Sequence, residues 1–274
     1  MRKERFGRQG GTDTLEQKIR KGLLVVSFGT SVNETRRKTI DVIEADLGTA
    51  FADCARYRAW TSERIIKIRK ERDGVQTDTV SEAMERMLAD GIEAVTVQPT
   101  YVTGGIENDR MTADVLAYRG RFASIRLGTP LLTDGEDFDE AAEAVMAEFG
   151  EPAPEEALVL MGHGTVHKAN SVYGRLEVRF RERGCGNVFL GTVEAGPPLE
   201  TLIRRVQASG AKRVTLAPLM VVAGDHARND MAGEDGDSWK SRFEAAGCEV
   251  RCVLKGLGEY PRIRKLYVRH ARRA

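Results

Sequence analysis

The sequence predicts an α/β protein made of two similar halves, each a parallel β-sheet wrapped by helices. Three observations carry this reading. Short aliphatic runs alternate with segments of helical period, the pattern of the first half recurs in the second, and an acidic stretch containing prolines separates the two.

The strand-like runs are "LLVVSF" (23–28), "AVTVQP" (94–99), "SIRLG" (124–128), "ALVLM" (157–161), "VFLGTV" (188–193), "RVTLAPLMV" (213–221) and "EVRCVL" (249–254). Each is short and aliphatic or β-branched, as buried strands are. Between them, "SEAMERMLADG" sets Met84, Met87 and Leu88 three and four residues apart and stops at Gly91. "PLETLIRRVQASG" does the same with Leu199, Leu202, Ile203 and Val206 before Gly210.

The repeat says more than any single element. "LLVVSFGTSVNETR" aligns with "ALVLMGHGTVHKAN" and sets Phe28 over His163. "GIEAVTVQPTYVTGGIENDRM" aligns with "GAKRVTLAPLMVVAGDHARNDM" once one residue is inserted, and sets Glu107 over His226. Between the halves, "DGEDFDEAAEAVMAEFGEPAPEEA" reads as an acidic helix and a Pro-Ala-Pro linker. The expected organisation is a tail over 1–20, an N-terminal α/β domain over 21–150 and a C-terminal one over 151–274.

Composition narrows the function. The 42 lysines and arginines nearly cancel the 41 aspartates and glutamates, so no global positive field draws nucleic acid. The first twenty residues lack a signal peptide's apolar core, and no apolar run reaches the roughly 18 residues that span a bilayer. A cytoplasmic protein without a membrane partner is expected. Cys54, Cys185, Cys248 and Cys252 form no CxxC pair and read as reduced thiols. GxxxxGK[ST] is absent, so no nucleotide is expected. Monomer and homo-oligomer both stay open.

In open parallel sheets, ligands bind beyond the carboxyl ends of the strands. Three loops there carry metal-ligand residue types: His163 in "GHGT", Glu194 in "GTVEAGPP" and His226 in "AGDHARND". Two imidazoles and a carboxylate make a site for divalent cobalt, iron, nickel or zinc with positions left open. Glycines close to both histidines would let a bulky ligand approach the backbone. Singly, each residue also fits an ordinary loop position. His167 reads as rim and His270 as part of a solvated basic tail. In the first half, Thr30 and Ser31 read as helix caps with Arg36 and Arg37 behind them, which could meet an anion or simply face solvent.

"LLVVSFGTS", "AWTSERIIK", "VQPTYVTGGIEND", "LMGHGT", "GTVE" and "LAPLMVVAGDHARNDM" together resemble the class II chelatases, and within them the anaerobic sirohydrochlorin cobaltochelatases of CbiK type. The resemblance runs from about residue 22 to 261. It implies two flavodoxin-like domains with a cleft between them, with His163, Glu194 and His226 binding the metal and Glu107 matching a cleft acid. Ala195, Gly196 and Pro197 depart from the glycine and aromatic residue that usually follow the acid. The implied activity is ATP-independent insertion of Co²⁺ into sirohydrochlorin. Fe²⁺ insertion for sirohaem and a non-catalytic metal carrier are the alternatives. On this reading His163, with Glu107 as relay, takes the pyrrole protons. Arg36, Arg37, Arg110 and Arg228, with Thr30 and Ser31, meet the substrate carboxylates.

Overall fold

The computed structural model describes residues 19–274; of the expected tail, residues 1–18 lie outside the described residues. The first half contains β1 (Lys21–Ser27), β2 (Ala55–Trp60), β3 (Ala94–Pro99) and β4 (Ser124–Leu127), with α1 (Asn33–Lys38), α2 (Ile40–Ala50), α3 (Glu63–Asp73), α4 (Val80–Ala89), α5 (Ile106–Leu116) and α6 (Gly135–Phe149). The second contains β5 (Glu156–Gly162), β6 (Val188–Thr192), β7 (Arg213–Pro218) and β8 (Glu249–Cys252), with α7 (Ser171–Glu182), α8 (Leu199–Ala208), α9 (Trp239–Ala245) and α10 (Pro261–Arg273). Strand order is β2-β1-β3-β4 in one sheet and β6-β5-β7-β8 in the other, all parallel. The repeated sequence has produced the same doubly wound topology twice.

All seven aliphatic runs form strands, and β2 is the one the periodicity did not reveal. Its sequence ARYRAW is an edge strand that buries only Ala59 and Trp60, so Arg56 to Arg58 stay at least partly in solvent and no apolar run is needed. The central strands are buried over most of their length and turn alternate side chains to different cores. On β1, Leu24 and Val26 pack with Met84 and Met87 of α4. Leu23 and Val25 point the other way and join Leu158, Leu160 and Leu176 of the second half in one continuous core. Each such side chain contributes roughly 1.5–3 kcal/mol on burial, and those between the sheets also fix how the halves sit against each other.

The C-terminal helix completes that shared core. Ile263, Leu266, Tyr267, His270 and Ala271 fall at helical spacing on one buried face of α10. This helix packs on α2 and α6 of the first half. Tyr267 donates to the carbonyls of Thr100 and Tyr101, 3.1 and 3.3 Å away at the end of β3, and Arg264 pairs with Asp46 of α2 at 2.6 Å. The expectation of a solvated His270 is therefore corrected. The ring is 4% exposed because it lies on the inward face of α10, and it pairs with the fully buried Asp137 of α6 at 2.7 Å.

Asp137 gathers the second α6 contact, from Arg269 at 2.8 Å, and closes a capping box with Asp134. Burial alone would raise its carboxyl. Hydrogen bonds from His270 and the Asp134 and Thr133 N–H groups, with the attraction of His270, outweigh burial and push it down to about 2 from the ordinary 3.8. A carboxylate depressed in the folded state stabilises the fold above its unfolded pKa, and that contribution is lost as pH falls through the folded value. Denaturant unfolding of the wild type should therefore lose on the order of 2 kcal/mol between about pH 4 and pH 2. In Asp137→Asn this loss should be absent, and an identical acid profile in the variant would exclude Asp137 as its source.

Candidate metal centre

His163 and Glu194 stand just past the ends of β5 and β6, whereas His226 lies further out, on the long loop that follows Pro218 of β7. The parallel register pairs Gly162 of β5 with Thr192 of β6. The ladder runs on beyond the strands: the Val193 N–H donates to Gly162 O at 3.0 Å, and the Glu194 N–H to His163 O at 2.9 Å. These two bonds set His163 and Glu194 side by side.

Gly164 makes the turn after His163. Its φ is +85°, and a Cβ there would lie 2.8 Å from the Thr192 Cβ and 2.9 Å from the Ala195 nitrogen. Gly164 thus serves a left-handed turn pressed against the β6 loop, and a Cβ at Gly162 would strike the Tyr173 ring at 2.2 Å. The expectation that these glycines leave room for ligand is corrected: neighbouring backbone and side chains fill the space. Gly29 occupies the same place after β1, with φ +99° and the Trp60 ring 2.7 Å from a Cβ position.

His226 arrives on the loop after β7, which is docked onto the first half. Thr35 of α1 donates to Ala223 O at 3.4 Å, Val222 packs on the cluster around Trp60, and a Cβ at Gly224 would lie 3.7 Å from the Thr30 hydroxyl oxygen. The residue that the repeat inserts here is accommodated as a π-helical turn over Ala227–Met231, with the Ala232 N–H reaching Ala227 O.

The outcome is one cluster. A ligand atom from each of His163, Glu194 and His226 lies within 4.8 Å of the others. The imidazole centroids are 4.8 Å apart and nearly perpendicular, at 86°. His163 Nδ1 is 3.0 Å from the Gly164 carbonyl and His226 Nδ1 is 2.6 Å from Asp230 Oδ2. A carbonyl oxygen only accepts, so the His163 Nδ1 carries the proton, and the carboxylate of Asp230 favours the same tautomer in His226. Both Nε2 lone pairs are left for an ion. The side chains are accessible to solvent, 46% exposed for His163, 55% for Glu194 and 35% for His226.

Glu107 lies apart from this trio on the first turn of α5, 38% exposed and 3.4 Å from Arg110. Its loop meets the second half: a Cβ at Gly105 would lie 3.9 Å from Thr165 Cγ2, and Asp109 is 3.5 Å from His167 Nε2. His167 accepts the Ala169 N–H on its other nitrogen, so it sits at the rim and links the two halves.

The basic residues separate. Arg36 is held by Asp41 through two contacts of 2.7 and 2.5 Å, which removes it from the expected carboxylate-binding group. Thr30 is buried and accepts the Val32 N–H at 3.2 Å, while the Ser31 carbonyl takes Arg72. The expected caps are corrected as well, since α1 starts at Val32 without a side-chain cap. Arg37, Arg110 and Arg228 remain exposed. Lys38, Arg228 and Arg37, in that order, hold the Glu34 carboxyl below its ordinary range, which places Arg228 of the second half beside the basic end of α1.

Residue types alone did not single out Asp230, the carboxylate in contact with His226, although its position four after that residue was a readable signal. Asp230→Ala should weaken Co²⁺ binding by about 10- to 100-fold, measured by isothermal titration calorimetry. Asp230→Asn, which keeps a hydrogen-bonding oxygen, should fall between. Wild-type affinity in Asp230→Ala would show that the contact does not orient His226.

With the geometry established, the comparisons with known proteins become informative. The family pattern described as cobalt chelatase (CbiK) matches residues 21–274. The sirohydrochlorin cobaltochelatase of Salmonella typhimurium is 39% identical over 261 residues, covering 93% of this chain and 97% of that protein. The sirohydrochlorin cobaltochelatase CbiKC of Nitratidesulfovibrio vulgaris is 34% identical over 273 residues, covering 96% and 95%. Among solved structures, SirB from Bacillus subtilis with Fe³⁺ superposes with a TM-score of 0.66 at 14% identity over 93% of this chain and 95% of that one. CbiX, the terminal enzyme for biosynthesis of siroheme in denitrifying bacteria, gives 0.56 at 14% identity over 92% and 99%. At such identities these two structures speak for the fold, whereas the family match and the two relatives span nearly the whole chain: this protein belongs to the cobalt chelatase (CbiK) family.

Proposed function

We propose that this protein inserts Co²⁺ into sirohydrochlorin, with both the ion and the tetrapyrrole as substrates. The observation that carries the reading is the His163–Glu194–His226 cluster at the strand ends of a chain matching the cobalt chelatase family from residue 21 to 274. The names of the two relatives supply the substrate.

The reaction breaks two pyrrole N–H bonds and forms four metal–nitrogen bonds, so the two positive charges brought by the ion leave as two protons. His163 and His226 hold the ion through Nε2 and Glu194 through its carboxylate, on one face of the macrocycle. Neutral nitrogen and oxygen donors bind Co²⁺ while exchanging fast enough to hand it on. As ring nitrogens displace the imidazoles, His163 becomes free to accept a pyrrole proton, and Glu107 across the cleft relays it to solvent. Arg37, Arg110 and Arg228 meet the substrate's carboxylates at the rim.

The donor set distinguishes Co²⁺ from Fe²⁺ weakly, so Fe²⁺ is the second metal to test. We assign residues 21–150 and 151–274 as the two domains, with α10 exchanged onto the first. We place the reaction in the cytoplasm, in keeping with four free thiols and no helix among the described residues long and apolar enough to cross a membrane.

Absorbance assays of sirohydrochlorin with Co²⁺ and, separately, Fe²⁺ test the reading. Wild type should exceed the uncatalysed rate, with the larger kcat/KM for Co²⁺, and His163→Ala and His226→Ala should each lose roughly 10²-fold or more. A wild type that binds Co²⁺ but never accelerates insertion would be a carrier. Variants matching wild type would overturn the site.

A further inference from the structure

Gly164 needs its φ of +85° to turn the chain after His163, yet a glycine by itself leaves the peptide groups on either side of it free to rotate. Here all four of their polar ends are bonded. The His163–Gly164 peptide accepts the Glu194 N–H on its carbonyl at 2.9 Å and donates its own N–H to the Tyr173 hydroxyl at 3.4 Å. The Gly164–Thr165 peptide donates its N–H to Asn170 Oδ1 at 3.1 Å, and its carbonyl lies 3.0 Å from His163 Nδ1.

Asn170 and Tyr173 stand three residues apart at the start of α7, so one helical face meets both peptides. Asn170 is the more telling of the two. It occupies the N-cap of α7, a place where asparagine ordinarily accepts an N–H of its own helix, but its side chain makes no such bond. The oxygen is turned back to Thr165 instead. In the first half the place of Asn170 is taken by Thr35, whose hydroxyl donates to Ala223 O, and that half has Phe28 where the second has an imidazole to orient.

A trans peptide points its N–H and its carbonyl in opposite directions. Holding the Thr165 N–H on Asn170 therefore aims the Gly164 carbonyl the other way, at the imidazole. A second acceptor, Glu194 Oε2, lies 3.7 Å from the same nitrogen. If the peptide rotated, the Nδ1 proton would turn to Glu194 and tie one ligand to another, or would move to Nε2 and remove the lone pair that meets the ion. We propose that Asn170 is a positioning residue for the metal site: through the Gly164–Thr165 peptide it holds the Nδ1–H tautomer of His163 and leaves Nε2 and the Glu194 carboxylate free for the ion. Tyr173 steadies the adjoining peptide. The inference rests on the reading of His163 and Glu194 as metal ligands.

Proton–nitrogen correlation spectra of the isotope-labelled imidazoles read the tautomer directly. They are recorded on the metal-free protein at about pH 8, above the ordinary histidine range, with the His163 signals assigned by their loss in His163→Ala. Wild type should show His163 with its proton on Nδ1. In Asn170→Ala that tautomer should give way to a mixture, and Co²⁺ affinity, measured by calorimetry, should fall roughly tenfold. The His226 signals and the thermal midpoint should stay as in wild type. Asn170→Asp, which keeps an oxygen for the Thr165 N–H, should restore the tautomer. An unchanged His163 tautomer in Asn170→Ala would overturn the proposal, as would an equal disturbance of His226 or a tautomer that Asn170→Asp fails to restore. Zn²⁺ added to wild type as a diamagnetic probe should shift the His163 Nε2 signal; if it does not, the reading of His163 as a ligand falls, and the role of Asn170 with it.

Discussion

The hydrogen bond from the Glu194 N–H to the His163 carbonyl is the constraint on which the site depends. It is a ladder bond that outlives its ladder. β5 and β6 end at Gly162 and Thr192, yet their pairing continues for two more residues while the chains turn away. Side chains at the ends of adjacent parallel strands emerge at one edge of the sheet, but proximity within ligand distance requires the loops to stay in register too. The left-handed turn at Gly164, wedged against Thr192 and Ala195, keeps them there. A residue with a Cβ would push the β5 loop off the β6 loop and separate His163 from Glu194, so the spacing of these two side chains is enforced by backbone packing.

The third ligand depends on a different constraint, the core shared by the two halves. The loop carrying His226 is bonded to its own half through Leu219, Met220 and Val221 and is also docked on Thr35, Trp60 and Thr30 of the other half. Those residues hold their positions because Leu23, Val25, Leu158 and Leu160 form one interior with the inner face of α10. The final helix thus returns to the first half and closes that interior, with Tyr267 bonding the chain at the end of β3, where the first-half cleft loop begins. Motion between the halves would have to open a continuous apolar core.

What could be read from residues alone followed from periodicity and repetition. Two α/β units, seven of eight strands and the three clustered ligands were legible because strand ends in parallel sheets share one edge. β2 escaped because an edge strand needs little apolar surface. The inward place of His270 escaped because its helix is rich in arginine, and only the spacing of Ile263, Leu266, Tyr267 and Ala271 marks its buried face. The fate of Arg36 was hidden for another reason. A run of basic residues shows charge but not partners, and Asp41 lies close enough to claim the first of them. Glu107 stands beside Arg110 on α5 and Arg37 and Arg228 are exposed near Glu34, while any contact of theirs with a substrate is encoded by no sequence pattern.

The repeat also explains how one fold came to cluster two imidazoles and a carboxylate in only one of its halves. Met111 in the first half and Met231 in the second are both fully buried, so each loop must return the chain to the core at that methionine. From Glu107 to Met111 the distance is a regular helical step, whereas from His226 to Met231 the chain has one residue more. A π-helical turn takes up the excess without moving Met231. The consequence lies on the opposite face of that turn, where Asp230 reaches His226 Nδ1 and fixes the ring with Nε2 outward. In the first half the residue before the buried methionine is Arg110, which lies 3.4 Å from Glu107, the residue in the place of His226. A single inserted residue, constrained by a core methionine, therefore gives the second half an oriented imidazole where the first keeps an acid. With His163 standing where the first half has Phe28, the duplicated fold carries its imidazoles on one half and an exposed aromatic ring at the matching place of the other.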